Sequence, residues 1–463
     1  MLKNQEKLLR QIGEIADLYN VKVFAVGGFI RDMLLSKSTD EIDFMVLGDG
    51  PAFASVAVKK MRGRGLVTFP QYGTANFISG DFKFEFVSAR REVYRENSRN
   101  PDVEISDFET DIKRRDFTVN TLAARVTSEG LGEIIDMFNG KRDIEQKIIR
   151  TPLDPETTFA DDPLRIMRAA RFASQLGFTI EENTLKAMES QKERLSIISQ
   201  ERITDELMKI LSHKKPSVGL NILYSTGILA IIFPELTELV GVEQIEKYHH
   251  KDVFEHTLKV VDNIALVTDN LNLRFAGLVH DIGKPRVKEF VEGTGWTFHG
   301  HEIVGMRMLP KICMNLKLSR SMCKYAQKLT KLHMRPVHLV GEEVTDSAIR
   351  RLIVTAGEDL DDLMILCRAD ITSGNPARVK KHLSNFDYVE RRIEEVKEKD
   401  KLREFQSPVR GEEIMKVCGL KPGPMVGILK KAIEEAILDG KIPNDHDAAY
   451  EYLLSIKDQF LKK

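Results

Sequence analysis

The hydrophobic pattern of this chain changes period once, and that change decides its architecture. After an amphipathic opening helix, apolar residues fall in short β-rich runs, Val21 to Val26, Ile42 to Leu47, Val67 to Phe69, Ala75 to Ser79 and Phe82 to Val87, separated by Gly and Asp turns. From Asp162 onward they recur at spacings of three and four, as in Leu164, Met167, Ala170 and Phe172, and the helical period persists nearly to the end. The pattern predicts an α/β N-terminal part followed by an all-α remainder. At 463 residues the chain exceeds what one hydrophobic core organises, so two to four domains are expected. Pro234, Gly241, Gly293 to Gly295, Gly374 to Pro376 and Pro408 to Gly411 punctuate the helical part. The expected division is 1–150, 151–215, 216–375 and 376–463.

Composition excludes several classes. With 42% apolar and 30% charged residues the chain reads as globular, neither collagen-like nor broadly disordered. Cys313, Cys323, Cys367 and Cys418 form no close pair, which argues against a disulfide framework or a zinc ribbon and for a reducing compartment. The charged N-terminus lacks the apolar core of a signal peptide, and the longest apolar run, Ile228 to Phe233, is far too short to cross a bilayer. A cytoplasmic protein without membrane contact is expected.

Two segments carry the first chemistry. In Phe24-Ala-Val-Gly-Gly-Phe-Ile-Arg-Asp32 a strand ends in two glycines and a helix begins; Gly27 and Gly28 allow close approach of an anion, and Arg31 adds a positive fork. In the next strand, Asp40-Glu-Ile-Asp-Phe-Met-Val-Leu47, alternation places Glu41 and Asp43 on one face. Carboxylates so placed repel unless a cation bridges them, and Mg²⁺ takes such oxygen ligands. In Phe82-Lys-Phe-Glu-Phe-Val87 the phenylalanines share one face and leave Glu85 on the other as a third carboxylate.

These segments, together with Arg114-Arg-Asp-Phe-Thr-Val-Asn120, Asp161-Asp-Pro-Leu-Arg165 and Ser199-Gln-Glu-Arg-Ile203, occur in the order seen in a known family. The chain resembles the class II branch of the tRNA nucleotidyltransferase and poly(A) polymerase family, within the polymerase-β-like superfamily, over about its first 210 residues. The resemblance implies a polymerase-β-like nucleotidyltransferase head, an all-α neck, and two-metal transfer with Glu41 and Asp43 holding Mg²⁺ and Glu85 assisting on the nucleophile side. One departure stands out: the family usually has Asp-x-Asp, and the first position here is Glu41, one methylene longer. The resemblance further places Arg115, Asp116 and Asn120 around the nucleotide sugar and phosphates, and Arg168 in the same site. Asp136 to Gly140 resembles the family's flexible turn.

Within the family, Asp162 and Arg165 read the incoming base. Cytosine and adenine each offer an amino donor beside a ring-nitrogen acceptor, whereas uracil and guanine offer a carbonyl beside an N–H. A carboxylate that only accepts and a guanidinium that only donates therefore match C and A. In the helical half His256, His280-Asp281 and Asp370 follow the H…HD…D order of the HD phosphohydrolase superfamily, with Gly277-Leu-Val-His-Asp-Ile-Gly-Lys284 resembling its core. Imidazole and carboxylate suit a divalent metal, whose identity stays open, and His301 and His333 could add a second metal or bind phosphate. The tail, Pro422 to Gly427 with Lys430, Lys431 and Glu434, resembles the family's RNA-supporting segment.

The expected activity is addition of C, C and A to a tRNA 3′ end from CTP and ATP, beside an HD domain. Rivals are a poly(A) polymerase, a CC-only or A-only enzyme, an HD phosphohydrolase whose head is a degenerate nucleotide sensor, and a signalling nucleotidyltransferase that modifies a protein. Oligomeric state is left open. The formal charge of −1 hides local segregation: Pro310 to Arg335 carries seven basic residues and no acid, and Gly341 to Met364 seven acids against two arginines. A phosphate backbone needs only such a local basic track, so near-neutrality does not exclude RNA.

Overall fold

The structure, a computed structural model, describes residues 3–95, 98–246, 249–292, 295–340, 344–400 and 407–461. It divides into two compact units, Met1–Thr237 with Asn315–Lys317, and Glu238–Met314 with Leu318–Lys463. The four-part division expected from the sequence is finer than this. Among the described residues no helix is long and apolar enough to cross a membrane.

The first unit opens with α1 (Lys3–Leu18), β1 (Lys22–Val26), α2 (Gly28–Leu34), β2 (Glu41–Leu47) and α3 (Gly50–Lys60). β3 (Arg64–Phe69), β4 (Thr74–Ser79), β5 (Phe82–Ser88), β6 (Arg90–Arg95), β7 (Ser98–Ile105), α4 (Phe108–Lys113), β8 (Ala123–Thr127) and β9 (Gly130–Ile135) follow. Seven strands form one sheet in the order β3-β4-β5-β2-β1-β8-β9, while β6 and β7 pair separately. Within that sheet β2 and β5 run parallel, because the chain crosses over through α3 and the β3–β4 pair before returning beside β2.

Strand alternation gives the sheet two unlike faces. On one, Phe44, Phe77, Phe84 and Phe86 are fully buried and their rings stack, with centroids 4.9 Å apart for Phe44 and Phe86 and 5.2 Å for Phe77 and Phe84. α3 covers this face, bringing Phe53 to 5.5 Å from Phe86. It starts where the Asp49 carboxylate accepts from the Ala52 N–H, with Pro51 in the first turn. On the other face the register aligns Asp43 with Glu85, Glu85 with Asn76, and Asn76 with Val67. A second row joins Met45, Val87, Thr74 and Phe69.

The five anticipated strands are present, with boundaries shifted by up to three residues. β6 to β9 were not anticipated. Arg90–Arg95 and Ser98–Ile105 are strongly charged, and Gly130–Ile135 has glycines at its first and third positions, so none of these three shows the apolar alternation that marks a half-buried strand.

Helices α5 (Gly140–Gln146), α6 (Pro155–Asp161) and α7 (Leu164–Leu176) continue the first unit. α7 ends at Gly177 in the left-handed conformation and packs against helices Gln200–Ser212 and Pro216–Ser225. The crossing is close at Gly219: its N–H donates to Ser174 Oγ at 2.8 Å, and a Cβ there would lie 2.6 Å from that oxygen.

The second unit is mainly helical. Among the described residues two short ladders interrupt the all-α expectation, Glu243–Glu246 with His249–Asp252 and Glu289–Val291 with Gly295–Thr297; Gly293 and Thr294 of the expected turn lie outside the described residues. After the long helix Pro376–Asp400, the tail helices Gly411–Cys418, Pro424–Leu438 and His446–Leu461 close their own core on Ile414, Leu429, Ile433, Ala449 and Leu453. Lys430 and Lys431 face Glu434 and Glu435 on its surface. Part of the basic run is neutralised internally, since Lys328 pairs with Asp359 at 2.5 Å.

Phe44→Ala removes the ring at the centre of the aromatic stack and leaves a cavity. A loss of about 3–5 kcal/mol in urea unfolding is expected for the head; a loss below about 1 kcal/mol would mean the stack is not what holds α3 to the sheet.

Candidate active site

A cleft of about 1090 Å³ in the first unit gathers every head residue singled out from the sequence: Gly27, Gly28, Arg31, Glu41, Asp43, Glu85, Arg115, Asp116, Asn120, Asp162, Arg165 and Arg168. At one end lie the acids. The β2–β5 register sets Asp43 directly beside Glu85, and Glu41, Asp43 and Glu85 each bring one carboxylate oxygen within 4.8 Å of the others. Burial, then the charges of Glu85 and Glu41, push Asp43 up to about 7; burial likewise raises Glu85. Three mutually repelling, partly desolvated carboxylates fit a divalent cation, which would favour their ionised forms. Glu41 is the most exposed of the three and pairs with Lys83, its direct neighbour across the β2–β5 register, at 2.5 Å.

The glycine turn stands over this acid end. Gly27 has φ 67° and ψ −130°, a conformation open to glycine, and a Cβ there would sit 3.1 Å from Arg115 Nη1 and 3.9 Å from Asp43 Oδ2. Arg31 differs from the sequence expectation in its partners. Its guanidinium is buried, holds Asp32 at 2.9 Å and donates to Asn120 Oδ1 at 2.7 Å, so it braces the motif rather than presenting a free fork.

The second wall is an ordered polar chain. Asp116 Oδ2 accepts from Arg168 Nε at 2.9 Å and Nη2 at 2.5 Å, and Oδ1 accepts from Asn120 Nδ2 at 3.0 Å. Burial opposes the charge on Asp116, but Arg168 and Asn120 outweigh it and hold the carboxyl far below its usual range. The adjacent Arg114 and Arg115 are both held by buried Asp111, at 2.6 Å and 3.1 Å. Asp162 is extended, just before α7, and its Oδ1 accepts from the Leu164 N–H at 3.2 Å. Arg165 turns its guanidinium to the carbonyls of Arg114 at 2.6 Å and Thr158 at 3.4 Å. Asp136 accepts from the Gly140 and Lys141 N–H groups and so ties the turn that starts α5.

Sequence reasoning missed Asp111, Arg171 and Phe172. The Phe172 ring is flanked by the guanidiniums of Arg31, Arg168 and Arg171 at 4.2–5.4 Å, and Arg171 pairs with buried Glu206 at 2.7 Å. The signal was present as Arg165, Arg168 and Arg171 at a spacing of three along one helix.

In the second unit all six anticipated HD residues converge. His256 Nε2 lies 2.9 Å from Asp370 Oδ1 and 3.4 Å from Asp281 Oδ2; His280 Nε2 lies 3.3 Å from Asp281 and 3.4 Å from Asp370. His301 Nε2 reaches Asp281 Oδ1 at 3.2 Å and His333 Nε2 at 3.2 Å. Asp281 thus stands between two ligand sets, His256-His280-Asp370 and His301-His333. The Nδ1 atoms of His280, His301 and His333 bond backbone carbonyls at 2.7–2.8 Å, leaving Nε2 to face the centre. His280 Nε2 and both Asp281 oxygens are buried and held by ion-pair contacts alone, without an aligned hydrogen bond, an arrangement that suits a cation. Burial disfavours the His280 cation, but Asp281 and Asp370 outweigh it and hold the ring at about 10. Burial and the His280 charge push His333 down to about 3. Lys284 reaches Asp281 at 2.6 Å.

Three family models match the chain: Poly A polymerase head domain over residues 23–150, Probable RNA and SrmB- binding site of polymerase A over 177–239, and HD domain over 253–374. The A-adding tRNA nucleotidyltransferase of Deinococcus radiodurans is 31% identical over 437 residues, covering 91% of this chain and 93% of that protein. The chain belongs to the tRNA nucleotidyltransferase and poly(A) polymerase family. As a member of this family it is a nucleotidyltransferase. A multifunctional CCA protein of Vibrio campbellii is also 31% identical, covering 76% of this chain and 85% of its own length. The fold matches that of the Bacillus stearothermophilus CCA-adding enzyme in complex with CTP, with a TM-score of 0.70 and 22% identity over the full length of both chains.

The raised Asp43 has a measurable consequence. Its folded pKa, about 7, exceeds the unfolded value, so the folded state keeps a proton that the unfolded state has lost, and stability falls as pH rises from 4 to 7. Asp43→Asn should raise the thermal midpoint of the metal-free protein at pH 8 by at least about 2 °C and leave it unchanged at pH 4. An equal shift at both pH values would show that Asp43 carries no such penalty.

Proposed function

We propose that this nucleotidyltransferase adds C, C and A to the 3′ end of tRNA, drawing on CTP and ATP. The observation that carries the reading is that one cleft holds both the carboxylate triad and the Asp162–Arg165 pair, so transfer and base selection share a site. In the reaction the RNA 3′-hydroxyl attacks the α-phosphorus and pyrophosphate leaves. Glu41, Asp43 and Glu85 would hold Mg²⁺, which supplies activation of the hydroxyl and neutralisation of pyrophosphate charge. Asp116 and Asn120, fixed by Arg168 and Arg31, are suited to orient the sugar hydroxyls. Asp162 accepts from the exocyclic amine of C or A, and Arg165 donates to the adjacent ring nitrogen. The substitution of Glu41 for the family's usual Asp is compatible with metal binding, because its carboxylate still reaches the cluster.

A tRNA primer lacking CCA, offered CTP and ATP separately and together, tests the reading. CTP alone should add two residues, and both together should complete CCA. Extension only of a primer already ending in CC would mark an A-only enzyme, and repeated A addition a poly(A) polymerase. Asp43→Ala should fold normally and lose nearly all incorporation. Asp162→Ala should relax rejection of UTP more than it weakens triphosphate binding; unchanged discrimination would remove Asp162 from base reading.

The six converging HD residues favour a second, separate reading, a metal-dependent phosphohydrolase acting on phosphate esters. His256, His280, Asp370, His301 and His333 would hold divalent metal, with Asp281 between the two sets. Phosphate release from p-nitrophenyl phosphate, or ring opening of a 2′,3′-cyclic nucleotide to its 2′- or 3′-monophosphate, should require added divalent metal and disappear in His280→Ala/Asp281→Ala, while CTP incorporation persists. Hydrolysis unaffected by that double change would exclude catalysis here.

A further inference from the structure

On the face of the sheet that carries the acids, the edge strand β3 presents apolar Val67 and Phe69 beyond the polar Asn76 and Thr74 of β4. The row through Asp43 and Glu85 continues to Asn76 and then Val67, and the neighbouring row continues from Val87 to Thr74 and Phe69. Ile78 follows on the same face of β4, two residues beyond Asn76. Val67, Phe69, Tyr72 and Ile78 are each 41–46% exposed, although they belong to or flank the edge of the sheet. An apolar strip on an edge strand is a liability in water unless something covers it.

Its position points to what does so. Phe69 and Tyr72 line the same cleft as Glu41, Asp43 and Glu85, on the Glu85 side. With strands about 4.8 Å apart, Val67 lies about 14 Å from Asp43, three strands across. That is the reach of the last nucleotides upstream of a bound 3′ end. The strip is also held rigidly. Gly73, at φ 60°, closes the Pro70–Tyr72 turn, its carbonyl accepts from the Ser88 N–H at 2.8 Å, and Arg90 Nη1 donates to the Tyr72 carbonyl at 2.7 Å. The register places Lys83 and Arg64 in the row beside it, opposite Glu41 and Ile78 respectively.

We propose that Phe69 and Tyr72 form a stacking platform for the unpaired bases at the 3′ end of the RNA primer, holding the terminal hydroxyl toward Glu85 and Asp43. This deepens the nucleotidyl-transfer reading and rests on it. Aromatic rings accept any base on their π-face, which suits a site whose terminal base changes at each addition, and adjacent cations match the phosphate backbone. The platform governs the primer and not the triphosphate, because Phe69 and Tyr72 come from the β3–β4 edge of the cleft, whereas Asp162 and Arg165 come from the α6–α7 segment.

An RNA primer carrying 2-aminopurine at its penultimate position reports stacking without any transfer. Binding to the wild-type protein, with no nucleotide present, should quench the probe. Phe69→Ala/Tyr72→Ala should abolish the quench and raise the primer KM about tenfold or more, with the CTP KM unchanged. Phe69→Leu keeps apolar bulk without a ring and should also lose quench, whereas Phe69→Trp should retain it, which separates stacking from loss of fold. Full quench and an unchanged primer KM in the double variant overturn the proposal, and would leave the strip to a protein partner. If the wild type quenches the probe but transfers no nucleotide, the transfer reading fails while the platform stands.

Discussion

The head depends on one register. Pairing β2 with β5 in parallel sets Asp43 against Glu85 and, one step along, Phe44 against Phe86. A slip of one residue would exchange the two faces, sending carboxylates into the aromatic core and phenyl rings into the cleft. The burial of Phe44, Phe77, Phe84 and Phe86 therefore does more than stabilise the sheet. It fixes where the acids stand, and it offsets the cost of crowding three carboxylates, one of them pushed up to about 7. A divalent cation relieves that repulsion, so the same geometry that strains the metal-free head prepares it for metal.

The two candidate centres handle buried charge differently. In the head, like charges converge and are opposed at the rim by Lys83. In the second unit imidazoles and carboxylates alternate, so that each acid already faces a base, and three backbone carbonyls fix ring orientation through Nδ1. The first arrangement favours a hard cation with oxygen ligands, and the second a cation that accepts nitrogen. Because the residue sets are separate, loss of one chemistry leaves the other measurable.

Much of this was legible in the residues. The change from period two to period 3.6, the alternation of Glu41 and Asp43, and the opposite alternation of Phe82, Phe84 and Phe86 located the sheet, its acid face and its core. The HD residues came together as their order implied, and His301 and His333 joined them. What escaped sequence reading were features that pattern does not encode. Strands β6, β7 and β9 are charged or glycine-containing and lack alternation, and β8 is a short run of mostly small residues, Ala-Ala-Arg-Val-Thr. Asp111, which pairs with both Arg114 and Arg115, stands among Asp107, Glu109 and Asp116 in a charged stretch whose pattern singles out none of them. Arg31 reads as a free cation until Asp32 and Asn120 are seen to hold it. Phe69 and Tyr72 read as ordinary apolar residues, and only the strand order places them beside the acids.

One cleft is proposed both to transfer a nucleotide and to select C and A. Sequencing the products formed on a CCA-less tRNA with all four nucleoside triphosphates present at equal concentration tests it most directly. The expected 3′ ends are C, CC and CCA in that order, with U and G nearly absent. Products in which U or G enters as readily as C or A, or in which A is added without preceding C, would contradict it.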